Sequence, residues 1–202
     1  MTRTRQNQAA KRMTGLDRRA QLLAKAKAII RERGVAELTL ATLADACGVT
    51  KPIAYNHFGT RENLLVELYR ELGGAHEARA RDATQAVRSE TDAAQKAGAI
   101  IATEFIDCTM QNGDLYGQIM AALRASPNGA QICADLDAQI TQSYSTALEA
   151  VGVDGQRAGL LAHGLIGAGA GLATAVGRGQ ASRDEAIALL GQFIAPLIDA
   201  SG

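Results

Sequence analysis

Apolar positions recur at helical spacing from Leu16 onward: Leu16, Ala20, Leu23, Ala26 and Ile30 form one stripe, and Gly34 follows as a stop. This predicts a first helix over about 16–33. Residues 1–15 are polar and basic with no apolar periodicity, and read as a flexible arm. Thr39 is placed to cap a short helix over Leu40–Cys47, Gly48 supplies a sharp turn, and Thr50 can cap a third helix from Lys51 to about His57. Pro52 falls in the first turn of that helix, where a missing N–H costs nothing. Thr60 then opens a longer fourth helix with Leu64, Leu65, Leu68 and Leu72 as its apolar face.

Beyond Gly73 and Gly74 the segments become long, Ala-rich, acidic and amphipathic, with helices predicted near 91–111, 114–124, 127–151, 155–177 and 183–199. Asn112 and Gly113 mark a break, Ser126 and Pro127 an opening, and Gly152 to Gly155 a separation. Ser182 and Glu185 have the spacing of a capping box, in which each side chain satisfies a backbone N–H near the other. No repeat of solenoid length is present. The expectation is an all-α chain of about nine helices: the arm 1–15, a small head over 16–72 whose first three helices contain a helix-turn-helix at 39–58, and a larger helical body over 73–202.

Composition supports the helical reading, since forty alanines and three prolines suit helices far better than turn-rich sheets. The 21 glycines count against uninterrupted helices. Cys47, Cys108 and Cys133, odd in number and without a CxxC pair, suggest free or buried thiols. The basic N-terminus lacks the apolar core of a secretory signal. The longest apolar stretch, Leu160–Val176, contains His163 and four glycines and falls short of a span of about 20 residues. A soluble cytoplasmic protein with no membrane partner is expected.

Charge changes the picture more. The formal net charge is zero, which on its face argues against a nucleic-acid partner. Residues 1–72, however, hold 13 basic and 7 acidic side chains, and residues 73–202 hold 8 and 14, so a +6 part is joined to a −6 part. The basic part coincides with the short helices. There, Leu40, Leu43, Val49 and Phe58 are positioned to pack, and Ala44, four residues before Gly48, is small where two helices must cross closely. Such a unit presents its second helix to the DNA major groove and several helix N-termini to phosphates.

At this level of detail the head resembles the DNA-binding domain of the TetR family of bacterial transcriptional regulators. The matching residues are Arg33, Gly34 and Val35; Leu38, Thr39 and Leu40; Leu43 and Ala44; Gly48 to Pro52; Tyr55 to Phe58; and Arg61 to Leu65. Arg61 stands where many members carry Lys, which keeps the charge and adds a bidentate fork. The resemblance implies phosphate contacts from Thr39, Thr50, Tyr55, His57 and Arg61, and base readout by Lys51, Pro52, Ile53 and Asn56. The chemistry agrees: Lys donates to guanine, Pro and Ile meet thymine methyls, and Asn pairs with adenine. Arg12, with Arg3, Arg5, Lys11, Arg18 and Arg19, would add affinity along phosphates or in a minor groove.

One head reads only a few base pairs, so specificity asks for two at a fixed distance. Gly164, Ala168, Gly171 and Ala175 form a small-residue stripe beside Leu161, Leu165, Leu172 and Val176, and the last helix offers Ile187, Leu190, Ile194 and Leu197. These fit a two-fold, four-helix interface, and the resemblance implies a homodimer through the last two helices. The family pattern also implies an effector pocket within 91–151, for which Phe105, Met110, Tyr116, Met120 and Tyr144 are the larger side chains, with Cys108, Asp107 and His163 as polar candidates. Gly167, Gly169 and Gly171 invite a nucleotide-loop reading, but the spacing is wrong and no strand precedes them.

No GxSxG, Walker loop, HExxH or cysteine pair is present, and the three histidines lie far apart, so neither an enzyme nor a metal or other cofactor is expected. The leading expectation is a repressor that binds a palindromic site on double-stranded DNA and is released by an unidentified small molecule. The alternative is a DNA-binding regulator switched by a protein partner.

Overall fold

The computed structural model describes residues 15–199; the arm, including Arg12, lies outside the described residues. Among the described residues there is no strand. The elements are α1 (Gly15–Arg33), a 3-10 turn (Val35–Glu37), α2 (Leu40–Cys47), α3 (Lys51–Phe58), α4 (Arg61–Val87), α5 (Ala93–Arg124), α6 (Gly129–Glu149), α7 (Gly155–Gly177) and α8 (Arg183–Asp199). The chain divides into two compact units between Leu64 and Leu65, inside α4.

The first unit is built by local chemistry. Thr39 Oγ1 accepts from the Thr42 N–H at 3.0 Å, and Thr42 Oγ1 accepts from the Thr39 N–H at 2.9 Å, a reciprocal cap that starts α2. Gly48 ends α2 at φ 64° and ψ 32°, a left-handed conformation that costs other residues a steric clash. The chain can then reverse at once into α3. Leu22, Leu38, Leu43, Ala44, Ala54 and Leu64 are fully enclosed, with Phe58 nearly so.

The second unit is built by close approaches between residues distant in sequence. A Cβ on Gly98 of α5 would lie 2.9 Å from the Gly191 carbonyl oxygen of α8, so the two helices cross almost backbone to backbone. A Cβ on Gly169 of α7 would lie 2.5 Å from the Phe105 ring, which therefore fills the space the glycine leaves. Ile101, Ile106, Tyr144, Leu148, Leu165, Leu190 and Ile194 complete this core. Arg183 grips Asp107 through two bonds of 2.7 and 2.8 Å, tying the start of α8 to the middle of α5.

Among the described residues eight α-helices stand where about nine are expected, because Asn112 and Gly113 do not break α5, and α4 is longer than expected because Gly73 and Gly74 do not end it. Gly73 and Gly74 lie inside α4, which runs on to Val87. Its inner stripe continues as His76, Ala80 and Thr84, all buried, but His and Thr disguise the apolar period. Thr84 satisfies itself by donating to the Ala80 carbonyl, and His76 Nδ1 lies 2.7 Å from Glu104. Asn112 and Gly113 likewise lie inside α5, where the Asn112 amide donates to the Cys108 carbonyl at 3.2 Å. Buried Leu115, Ile119 and Leu123 then carry the stripe onward, and their burial outweighs a penalty of about 1 kcal/mol for a helical glycine. At 23 residues α7 exceeds its apolar stretch and passes the length and composition test for a membrane span; its inner face, Ala158, Ala162, Leu165, Gly169 and Ala173, is packed into the core.

Candidate nucleic-acid interface and effector cavity

The two faces of α3 differ sharply. Ala54 and Phe58, four residues apart, are buried, while Lys51, Pro52, Tyr55 and Asn56 are exposed on the opposite side, Tyr55 at 51%. Ile53 and His57 are partly covered. Of the two threonines that precede helices, Thr39 uses its hydroxyl to cap α2, whereas the Thr50 hydroxyl makes no capping bond. Pro52 in the first turn of α3 removes a donor that has no partner in the helix and leaves apolar surface in its place.

Arg61 is engaged within the head. Its Nε donates to the Leu38 carbonyl at 2.6 Å and its Nη2 to the Val35 carbonyl at 2.7 Å. Its fork fastens the start of α4 to the turn before α2, where the Val35 carbonyl also accepts from the Leu38 N–H at 3.2 Å. Arg19, grouped with the basic arm by sequence, is also turned inward: its guanidinium stands 5.2 Å from the Phe58 ring centroid and donates to the His57 carbonyl at 3.1 Å. The last turn of α3 is thereby anchored to α1.

In the second unit α4, α5 and α6 enclose a cavity of about 90 Å³ lined by Tyr69, Gly73, Glu77, Phe105, Cys108, Thr109, Tyr116, Ile140 and Tyr144. Phe105, Cys108, Tyr116 and Tyr144 are thus brought together as expected candidates. Met110 is 47% exposed on the surface, Met120 is buried away from the cavity lining, and His163 is exposed on α7, so these three do not line it. Tyr69, Gly73 and Glu77 of α4 extend the lining beyond the candidates that the sequence singles out. They fall at four-residue spacing along α4, a stripe that reading Gly73 as a break conceals.

The cavity groups are desolvated. Burial pushes the Tyr69 phenol up to about 12, aided by the nearby charges of Asp137 and Glu77. It likewise raises the Tyr116 and Tyr144 phenols and the Cys108 thiol, whose sulfur lies 3.3 Å from the Tyr116 hydroxyl. The Glu77 carboxyl is also raised by burial, against opposing effects from a Ser143 hydrogen bond and the Arg81 charge.

The dimer candidates separate by face. Leu165, Leu190 and Ile194 are buried in the protomer's own core and present no surface to a second copy. Leu161, Ala168, Leu172, Ala175, Ile187 and Leu197 are partly buried, and Gly164 and Gly171 are exposed. The exposed apolar side chains of these helices are Leu160 at 71%, Leu189 at 53% and Phe193 at 48%. The outward stripe is therefore about one position away from the bulky stripe read in sequence, because Leu165, Leu190 and Ile194 turn into the core.

Residues 22–68 match the sequence model of the family described as bacterial regulatory proteins, tetR family. A chain from Rhodococcus sp. described as a TetR-family transcriptional regulator shares the fold, with a TM-score of 0.68 and 18% identity over 90% of this chain and 98% of that one. A transcriptional regulator from Pseudomonas aeruginosa PAO1 aligns with a TM-score of 0.71 and 14% identity over 93% of each chain. The fatty acid degradation regulator FadR from Bacillus halodurans aligns with a TM-score of 0.66 and 16% identity over 92% of this chain and 96% of that one. The head is thus similar in sequence to the tetR-family model, and the fold is shared with chains described as TetR-family regulators.

Proposed function

We propose that this chain, TetR-like by sequence in its head and by fold over 90% of its length, is a cytoplasmic transcriptional repressor that binds a palindromic operator as a homodimer and is released by a small molecule. The observation that carries the DNA-binding part is the two-faced α3, whose exposed side combines Lys51, Pro52, Tyr55 and Asn56. Lys51 at the helix start donates to guanine, Pro52 and the edge of Ile53 meet thymine methyls, and Asn56 pairs with adenine. Thr39, Thr50, Tyr55 and His57 position the head on phosphate, with the N-termini of α2, α3 and α4 adding oriented N–H groups. Arg61 contributes chiefly by holding the turn that aims α2, and Arg12 adds charge from the arm.

Dimerisation uses the outward side of α7 and α8. Gly164, Gly167 and Gly171 allow close approach, while Leu160, Leu189 and Phe193 supply exposed apolar surface. Effector binding uses the cavity of the second unit. The helix that lines it with Tyr69, Gly73 and Glu77 is the same continuous α4 that begins at Arg61 in the head, so a ligand that favours one placement of α4 would change operator affinity by its differential affinity for the two states. No catalytic role is assigned.

Selection of bound DNA from a random library tests this reading. A palindromic site is expected; absence of sequence preference would overturn it. Asn56→Ala should relax preference at one base position per half-site, whereas Phe193→Asp should yield a monomer by sedimentation with sharply reduced operator affinity.

A further inference from the structure

The cavity between α4, α5 and α6 has walls of aromatic and apolar groups with one carboxyl among them, Glu77. Gly73, one turn earlier on α4, makes room for it: a Cβ there would lie 2.6 Å from Glu77 Oε1 and 2.9 Å from the Tyr116 hydroxyl. Both polar tips therefore lie against the bare side of Gly73. Beside them the Tyr69 and Tyr116 rings pack edge to face with centroids 5.1 Å apart. Cys108 and the phenols remain neutral near pH 7, since burial raises each of them.

An adjoining lobe shares Tyr69, Glu77, Tyr116 and Ile140 and reaches Arg70, whose guanidinium is held by Gln139 at 2.9 Å and lies 3.9 Å from Glu67. Arg81, one turn beyond Glu77, is exposed, and the Ser143 hydroxyl bonds the Glu77 carboxyl. Among the described residues lining the two lobes, the formal charges are thus one anion facing the cavity and one arginine already engaged at the far lobe.

We infer that this cavity takes a compact organic cation, an ammonium or amidinium group on a small apolar body, with the Glu77 carboxylate holding the charge and the Tyr69 and Tyr116 rings covering the body. The inference rests on the effector reading given above. A cation restores to Glu77 the stabilisation that burial removes, and its charge is attracted to the tyrosine faces as well. An anionic ligand would place a second negative charge beside Glu77 in a partly desolvated space and is disfavoured for the same reason. Large flat cations do not fit about 90 Å³, less than the roughly 150 Å³ that takes up benzene in an apolar cavity, so the body is a short branched chain or a single ring that extends into the adjoining lobe.

Three probes of matched shape test this on the full-length protein: benzylammonium, benzyl alcohol and benzoate, by titration calorimetry and thermal shift, with anisotropy of the selected operator DNA read in parallel. Benzylammonium should bind about tenfold or more tighter than benzyl alcohol, the scale of one charge-assisted hydrogen bond, and benzoate weakest. Glu77→Gln, nearly isosteric, should bring benzylammonium down to the level of benzyl alcohol and leave the alcohol unchanged. Gly73→Ala should weaken both while the fold is retained by circular dichroism. The inference is overturned if benzoate binds as tightly as benzylammonium, if Glu77→Gln leaves benzylammonium unaffected, or if none of the three binds in the millimolar range. Failure of the effector reading looks different: benzylammonium binds with the Glu77 dependence, which sustains the inference, yet operator affinity does not change.

Discussion

The two units of this protein hold themselves together by opposite means. In the head, the turns are governed by residues a few positions apart: Thr39 with Thr42, Gly48 with the Ala44 carbonyl, and Thr60 with the Asn63 N–H. In the body, the decisive contacts join residues far apart in sequence: Gly98 with Gly191, Phe105 with Gly169, Asp107 with Arg183. The head consequently offers polar groups and helix ends at its surface, suited to a polyanion. The body offers a close-packed interior with a small cavity between α4, α5 and α6. Charge divides nearby along the chain, with +6 over residues 1–72 and −6 over residues 73–202, eight residues past the boundary of the two units.

The comparison breaks most visibly at Phe105. Phe105→Ala removes a ring seated on Gly169 and should cost about 3–5 kcal/mol in urea unfolding, the range for an aromatic truncated in a core that cannot collapse. A loss well below that range would mean the body does not depend on this distant contact. Arg61 is the head's own long-range tie, and Arg61→Ala should cost about 2–3 kcal/mol through two lost charge-assisted bonds to the Leu38 and Val35 carbonyls. Arg61→Lys should recover little of it, since one ammonium cannot span both carbonyls. Full recovery with Lys would show that charge, not the fork, is what matters.

Smaller effects sharpen the contrast between capping and binding. Thr39→Ala should lower stability by about 1 kcal/mol by thermal denaturation, because its hydroxyl caps α2. Thr50→Ala should leave stability nearly unchanged, having no capping bond to lose, while weakening binding to every DNA sequence alike. Equal stability losses would erase the distinction. The smallest effect concerns pH. The hydrogen bonds from Arg183, foremost, hold the Asp107 carboxyl below the usual range, opposed by slight burial. A carboxyl depressed in the folded state contributes stability above its unfolded pKa of about 3.9, and that contribution is lost as pH falls through the lower folded value. Asp107→Asn should therefore lessen the acid-induced loss of stability below about pH 4 without altering the alkaline side. Solvent exposure of the pair keeps this modest.

Much of the fold was legible because its signals are local. The bounds of α2 follow from Thr39 and Gly48, and α8 begins at the Ser182 and Glu185 capping box, with the Glu185 carboxylate 2.7 Å from the Ser182 N–H. The candidate cavity was legible only in part. Phe105, Cys108, Tyr116 and Tyr144 could be picked out as large or polar side chains on amphipathic helices, but Tyr69, Gly73 and Glu77 could not, since a glycine pair reads as a terminus unless packing is known to span it. Arg61 and Arg19 illustrate the same limit for charge: a basic residue in a basic segment reads as a phosphate ligand until a carbonyl or ring is seen in front of it.

The residues of α3, its caps and the charge asymmetry were determined by amino-acid type and spacing alone, because helix caps, left-handed glycines and short amphipathic periods act over a single turn of chain. Which side of α7 and α8 faces outward, whether Gly73 and Gly113 interrupt their helices, and where a lone carboxyl meets two tyrosines were decided by tertiary structure. Those outcomes turn on how closely distant helices approach one another, and a missing Cβ has no meaning until the atom that occupies its place is known.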